Sequence, residues 1–246
     1  MHENRFWEID FARGAAVLAM IVFHALFDLN YFAGYSFDLS SGFWWWFARA
    51  TAAVFVLLVG VGLSLSYERS KSKGFPFVAN KFFLRGVKTF ILGFVITLAT
   101  YMFLGGKGTI WFGALHLIGL GIVVSIAFVR NSKLSLIIGA ASLALGIYLQ
   151  GITVDTPYLF WLGLAQSGFY SYDYFPIFPW LGVMLIGIAA GSVLYQNGKR
   201  VFTMHSPGNF VVELLSFAGK NSLLIYFVHQ PVLIALVLAA KSGFAG

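Results

Sequence analysis

The chain has 246 residues, of which 59% are hydrophobic and only 10% charged. Soluble domains run near 45–50% apolar and about 25% charged, so this composition excludes a soluble enzyme, a disordered chain and a secreted disulfide scaffold. Sixteen Lys and Arg against nine Asp and Glu give a formal net charge of +7, and with no cysteine there are no thiol nucleophiles and no Cys-ligated metals. Apolar runs of about 20 residues without strand-like alternation predict helical spans. The expected fold class is therefore all-α: a polytopic membrane bundle of about seven transmembrane helices, forming one domain over residues 1–246.

Before the first span, Met1–Phe11 carries Glu3, Glu8 and Asp10 beside Arg5, which is not the pattern of a cleavable signal. The spans are predicted at 12–32, 43–66, 84–104, 110–129, 134–151, 175–195 and 220–240. Asp10 is most simply an N-cap of the first. Trp44, Trp45 and Trp46 at the start of the second fit an interfacial aromatic belt. Connector 67–83 holds Arg69, Lys71, Lys73 and Lys81, connector 130–133 holds Arg130 and Lys133, and 196–219 holds Lys199 and Arg200. The connectors 33–42 and 152–174 hold no basic residue. Lys and Arg gather on the cytoplasmic side, so the expectation is a multi-pass protein of the cell membrane, N-terminus cytoplasmic and C-terminus extracytoplasmic. This placement accounts for the positive charge without a nucleic-acid partner. Segment 157–166 is too short to span and is read as a re-entrant or interfacial piece; 210–217 is read as a short interfacial helix. Gly187 and Gly191 have the small-xxx-small spacing of close helix contacts.

Ionisable side chains inside a bilayer are costly unless paired or wet, which makes each a functional candidate. The first helix carries Arg13, His24 and Asp28. Arg13 and His24 are eleven residues apart, about 20° off one face and roughly 16 Å along the axis. Asp28 follows His24 by one turn. A cation, an imidazole and a carboxylate in that order suit a ligand with an anionic head and a long reactive arm, which is the shape of coenzyme A. In this reading Asp28 accepts a hydrogen bond from one imidazole nitrogen, and His24 takes a proton from an attacking amine or hydroxyl. Taken alone, Arg13 is more simply a cytoplasmic anchor, and a membrane histidine is often a helix–helix hydrogen-bond partner. His116 and His229 line a cavity or hold helices together, and Pro231 kinks the last helix. Haem ligation by His24, His116 and His229 finds no paired spacing to support it, and no metal site or permanently bound cofactor is expected.

The run from Glu8 through Arg13-Gly14 to His24, continuing to Asp28-Leu-Asn-Tyr-Phe32, resembles the opening of prokaryotic relatives of the heparan-α-glucosaminide N-acetyltransferase catalytic domain. Gly113–Gly119, Asp173–Gly187 and Gly219–Leu233 resemble further blocks of the same group, and the Arg-Gly…His pattern is similar to that of the wider transmembrane acyltransferase superfamily. The resemblance implies an enzyme that moves an acetyl group from cytosolic acetyl-CoA, as co-substrate, to an amine or hydroxyl across the membrane, on a glycan or lipid-linked sugar. Arg13 and His24 match the superfamily's arginine and catalytic histidine, and Asp28 matches the prokaryotic group. In the animal enzyme the active histidine lies in the loop after the first helix, whereas residues 29–115 here contain no histidine. The resulting expectation is His24 and Asp28 as catalytic residues, Arg13 with Arg85 and Lys88 on the acyl-CoA phosphates, and His116, Asn221 and His229 on the acceptor side. Membrane lipids are expected partners, and the reading leaves room for a homodimer. The competing reading is a proton-coupled transporter with His24 and Asp28 as a proton relay.

Overall fold

The computed structural model describes residues 5–73, 79–205 and 208–244; Glu3 of the N-terminal pattern lies outside the described residues. Eight α-helices follow in order among these residues: α1 Trp7–Ala33, α2 Gly42–Ser72, α3 Ala79–Leu104, α4 Ala114–Ser125, α5 Ser132–Leu149, α6 Ile177–Leu194, α7 Phe210–Lys220 and α8 Ser222–Phe244. Six of them (α1, α2, α3, α5, α6 and α8) are long and apolar enough to cross a membrane. Their outward faces are apolar as well: Leu98 is 60% exposed, Ile137 63% and Met102 75%. A monomer bathed in water does not present continuous surfaces of this kind. The protein is a polytopic helical membrane bundle. The chain divides into two compact units, one of residues 1–55 with 204–246 and one of 56–203, and α2 runs from the first into the second.

In the first unit α1 is the central element. It begins at Trp7, with Phe6 as N-cap, so Asp10 is not the cap; it sits in the first turn, buried, with Arg13 Nη1 3.4 Å from its Oδ1. The helix stops at Gly34, whose φ of 79° is the left-handed geometry that glycine accepts without strain. Against the first turns of α1 lies α7. A methyl group on Gly14 would overlap the Leu215 carbonyl, and one on Gly219 would overlap that of Asp10. The two backbones approach so closely only because neither position carries a Cβ. At its other end, Asp38 receives the Ser40 and Ser41 amides at 3.0 and 3.1 Å ahead of α2, and its carboxyl is held below its ordinary pKa chiefly by hydrogen bonds from the Ser41 and Ser40 side chains. The tryptophan cluster opens α2, with the Arg49 guanidinium 3.5 Å from the centroid of the Trp45 ring.

In the second unit the Gly187/Gly191 spacing does what the sequence predicts. Gly187 lies on the Leu57 carbonyl and Gly191 on Val61 and Ser64, and on the opposite helix Gly60 meets the Met184 carbonyl. Gly139 and Gly182 bring α5 and α6 together in the same way.

The fourth predicted span is the one that changes. Instead of 110–129, α4 covers only Ala114–Ser125, 12 residues. Residues 110–113 are apolar but not helical, because other groups take their backbone hydrogen bonds. Thr97 Oγ1 donates to the Ile110 carbonyl at 2.6 Å, Phe175 N to that of Phe112 at 2.9 Å, and Asp173 Oδ2 accepts from Ala114 N at 3.1 Å. After Ser125 the helix tightens into three-residue turns. Segment 157–166 contains a 3₁₀ turn, Pro157–Leu162, started by Thr156 Oγ1 and ended by left-handed Gly163. The short helix expected at 210–217 is α7.

Candidate active site

The first and last helices carry the site. α1 and α8 run in the same direction, since His24, Asp28 and Phe32 meet His229, Gln230 and Lys241 in that order. Between these two stand four long helices. The shorter α4 is apolar too and carries no Asp, Glu, Lys or Arg, whereas α7 has Glu213 and Lys220.

His24 and His229 meet edge to face, with ring centroids 4.9 Å apart and planes at 81°. Each is turned by its own helix. His24 Nδ1 lies 2.9 Å from the Met20 carbonyl, and His229 Nδ1 lies 2.8 Å from that of Tyr226 and 3.2 Å from that of Ile225. A carbonyl only accepts, so in both neutral rings Nδ1 carries the hydrogen and Nε2 keeps the lone pair. Nε2 of His229 is buried without a hydrogen-bond partner. The two rings therefore stand together with their tautomers set by backbone, not by a carboxylate.

That arrangement replaces the expected Asp28–His24 hydrogen bond. Asp28, with no solvent exposure, accepts from Gln230 Nε2 at 2.7 Å on Oδ1 instead. One helical turn separates Asp28 from His24 in sequence, but its carboxyl is turned to α8. Gln230 was missed by sequence reasoning, because an amide in an apolar run carries no charge to mark it. The signal available was its position between His229 and Pro231, the latter lacking the N–H that would bond the Phe227 carbonyl.

The other predicted residues fall as follows. Arg13 is on α1, 21% exposed and paired with Asp10. Arg85 and Lys88 are exposed on α3, and α3 belongs to the second unit. His116 is in the second unit too and has the opposite tautomer from the site pair: its Nδ1 accepts from Gly113 N at 3.4 Å, at the start of α4. Its ring is enclosed by Phe90, Phe94 and Phe112, with centroids 4.9–5.5 Å away. These contacts enclose it within that unit, and its Nε2 is buried without a hydrogen-bond partner. Asn221 ends α7, with Nδ2 donating to the Phe217 carbonyl at 2.9 Å. Among the described residues no group of three His, Asp or Glu side chains is placed to hold a metal ion.

A family model described as heparan-alpha-glucosaminide N-acetyltransferase, catalytic, matches residues 5–231. The chain belongs to this family. The match covers α1 entire and ends one residue beyond Gln230, so His24, Asp28, His229 and Gln230 all fall inside it. Comparisons with curated proteins and with solved structures find no match. The family is one of membrane acyltransferases, and the imidazole pair of α1 and α8 supplies groups that such chemistry uses.

Proposed function

We propose that the protein transfers an acetyl group from acetyl-CoA, bound from the cytoplasmic side, to an amine or hydroxyl of a glycan or lipid-linked sugar on the extracytoplasmic side. The observation that carries this reading is the His24–His229 ring contact with each Nδ1 on a carbonyl of its own helix, which leaves Nε2 of His24 as the basic nitrogen. The nucleophile's nitrogen or oxygen attacks the thioester carbonyl carbon as its proton passes to His24 Nε2. The carbon–sulfur bond then breaks, and the proton moves from the imidazole to the departing thiolate, so that the products are the acetylated acceptor and free CoA. The Met20 carbonyl holds the imidazole in register and stabilises the transient imidazolium, the task that a carboxylate performs in hydrolase triads. Arg13, about 16 Å down the same helix, supplies the cation for the CoA phosphates. His229 faces the acceptor.

The test is a titration of the purified full chain in lipid nanodiscs with acetyl-CoA, followed by release of free CoA thiol in the presence of amino-sugar and hydroxyl acceptors. Saturable binding and thiol release that His24→Ala abolishes support the reading. Absence of binding at millimolar acetyl-CoA defeats it, and pH-driven solute flux without thioester cleavage assigns the histidines to a proton-coupled carrier instead.

A further inference from the structure

The Asp28–Gln230 contact is more specific than a single hydrogen bond. Asp28 is completely buried, and its recorded partner is an uncharged amide. The charged and titratable groups around it are otherwise engaged. On α8, Lys241 Nζ donates to the Phe32 carbonyl at 2.9 Å, and His229 is turned to its own backbone; Tyr226 is the remaining titratable group of that helix. On α1, Arg13 pairs with Asp10 and His24 bonds the Met20 carbonyl; Tyr31 stacks on Phe27. α7, packed on α1, adds Glu213 and Lys220.

Two further atoms of the contact are buried without partners, Asp28 Oδ2 and Gln230 Oε1. Each shares a carbon with one of the two atoms already bonded. With the carboxylate ionised, both are bare acceptors in apolar surroundings and neither can serve the other. A single proton on Oδ2 changes this: it removes the charge, makes Oδ2 a donor and gives Oε1 the hydrogen it lacks. The carboxylic acid and the carboxamide then close a ring of two hydrogen bonds, with no polar atom left over.

We propose that Asp28 and Gln230 form a neutral acid–amide clip between α1 and α8. Gln230 is its positioning residue and keeps the neighbouring His229 against His24. The clip itself does not depend on the acyl-transfer reading; only its bearing on catalysis does.

Infrared difference spectroscopy of the full chain in nanodiscs tests it. Wild type minus Asp28→Asn is expected to show the carbonyl stretch of a protonated carboxylic acid. Gln230→Leu is expected to move that band to the position of an acid without a hydrogen-bonded partner. Should Gln230→Leu fail to fold, Gln230→Asn, one methylene too short to reach, gives the same comparison. An acid band absent from the difference spectrum, or one that neither Gln230 variant displaces, overturns the clip. An acid band that behaves as expected in a protein that releases no CoA upholds the clip while the proposed function falls.

Discussion

His24 on the first helix and His229 on the last stand 4.9 Å apart, centroid to centroid and nearly perpendicular, each imidazole fixed by a carbonyl of its own helix. Aromatic pairs favour such edge-to-face geometry, so ring packing and proton chemistry are met by one arrangement and can be separated by substitution.

His229→Phe retains an aromatic ring against His24 and removes only the nitrogens. If His229 holds the acceptor toward His24, kcat falls on the order of 10²-fold with the thermal unfolding midpoint little changed. Steady-state kinetics beside a melting curve decide; a variant at full rate assigns His229 to packing.

Arg13→Gln tests the phosphate grip. Loss of a charge-assisted contact that acts on bound substrate raises KM for acetyl-CoA by about tenfold, corresponding to roughly 1.5–3 kcal/mol of such a hydrogen bond at its lower end. A CoA analogue lacking the 3′-phosphate should feel the substitution less. An unchanged KM would take Arg13 out of the phosphate grip.

Gly219→Leu addresses the α1–α7 contact. Its side chain would collide with the Asp10 backbone, where no flexible group can give way. Overpacking of this kind costs about 1–3 kcal/mol, so the unfolding midpoint should drop sharply. Gly243→Leu, in open space at the end of α8, is the control and should melt like the parent.

Tyr174, just ahead of α6, donates its hydroxyl to the Phe160 carbonyl, and burial pushes its pKa up from 10.0 to about 12. A group whose folded pKa is raised contributes stability that is complete below its unfolded pKa and lost as pH climbs to the folded one. Between pH 10 and 12 the parent should therefore lose stability, and Tyr174→Phe, weaker at neutral pH, should lose less. Unfolding midpoints across that window settle the point; parallel curves would show that Tyr174 does not titrate with unfolding.

The long helices were legible because a bilayer demands apolar length, and the close packing at Gly187 and Gly191 because small residues recur on one face. The shortening of α4 was not. Residues 110–113 satisfy every compositional requirement of a span, yet Thr97, Asp173 and Phe175, remote in sequence, take backbone hydrogen bonds of residues 110–114. At the site, His24 stood out as an ionisable group in an apolar run. Its orienting partner did not, since a backbone carbonyl such as that of Met20 leaves no mark in a sequence. Asp28 was visible for its charge but not for its direction, because a residue four positions on can face the same neighbour or turn to another helix, and the choice was made by Gln230.

The pairing of residue 24 with residue 229 also has a consequence in time. A ribosome delivers α1 to the membrane long before α8 exists, so through most of translation the first imidazole waits without its counterpart. On the proposed reading competence arrives late and all at once, and a chain cut before its last helix would be inserted without its catalytic pair.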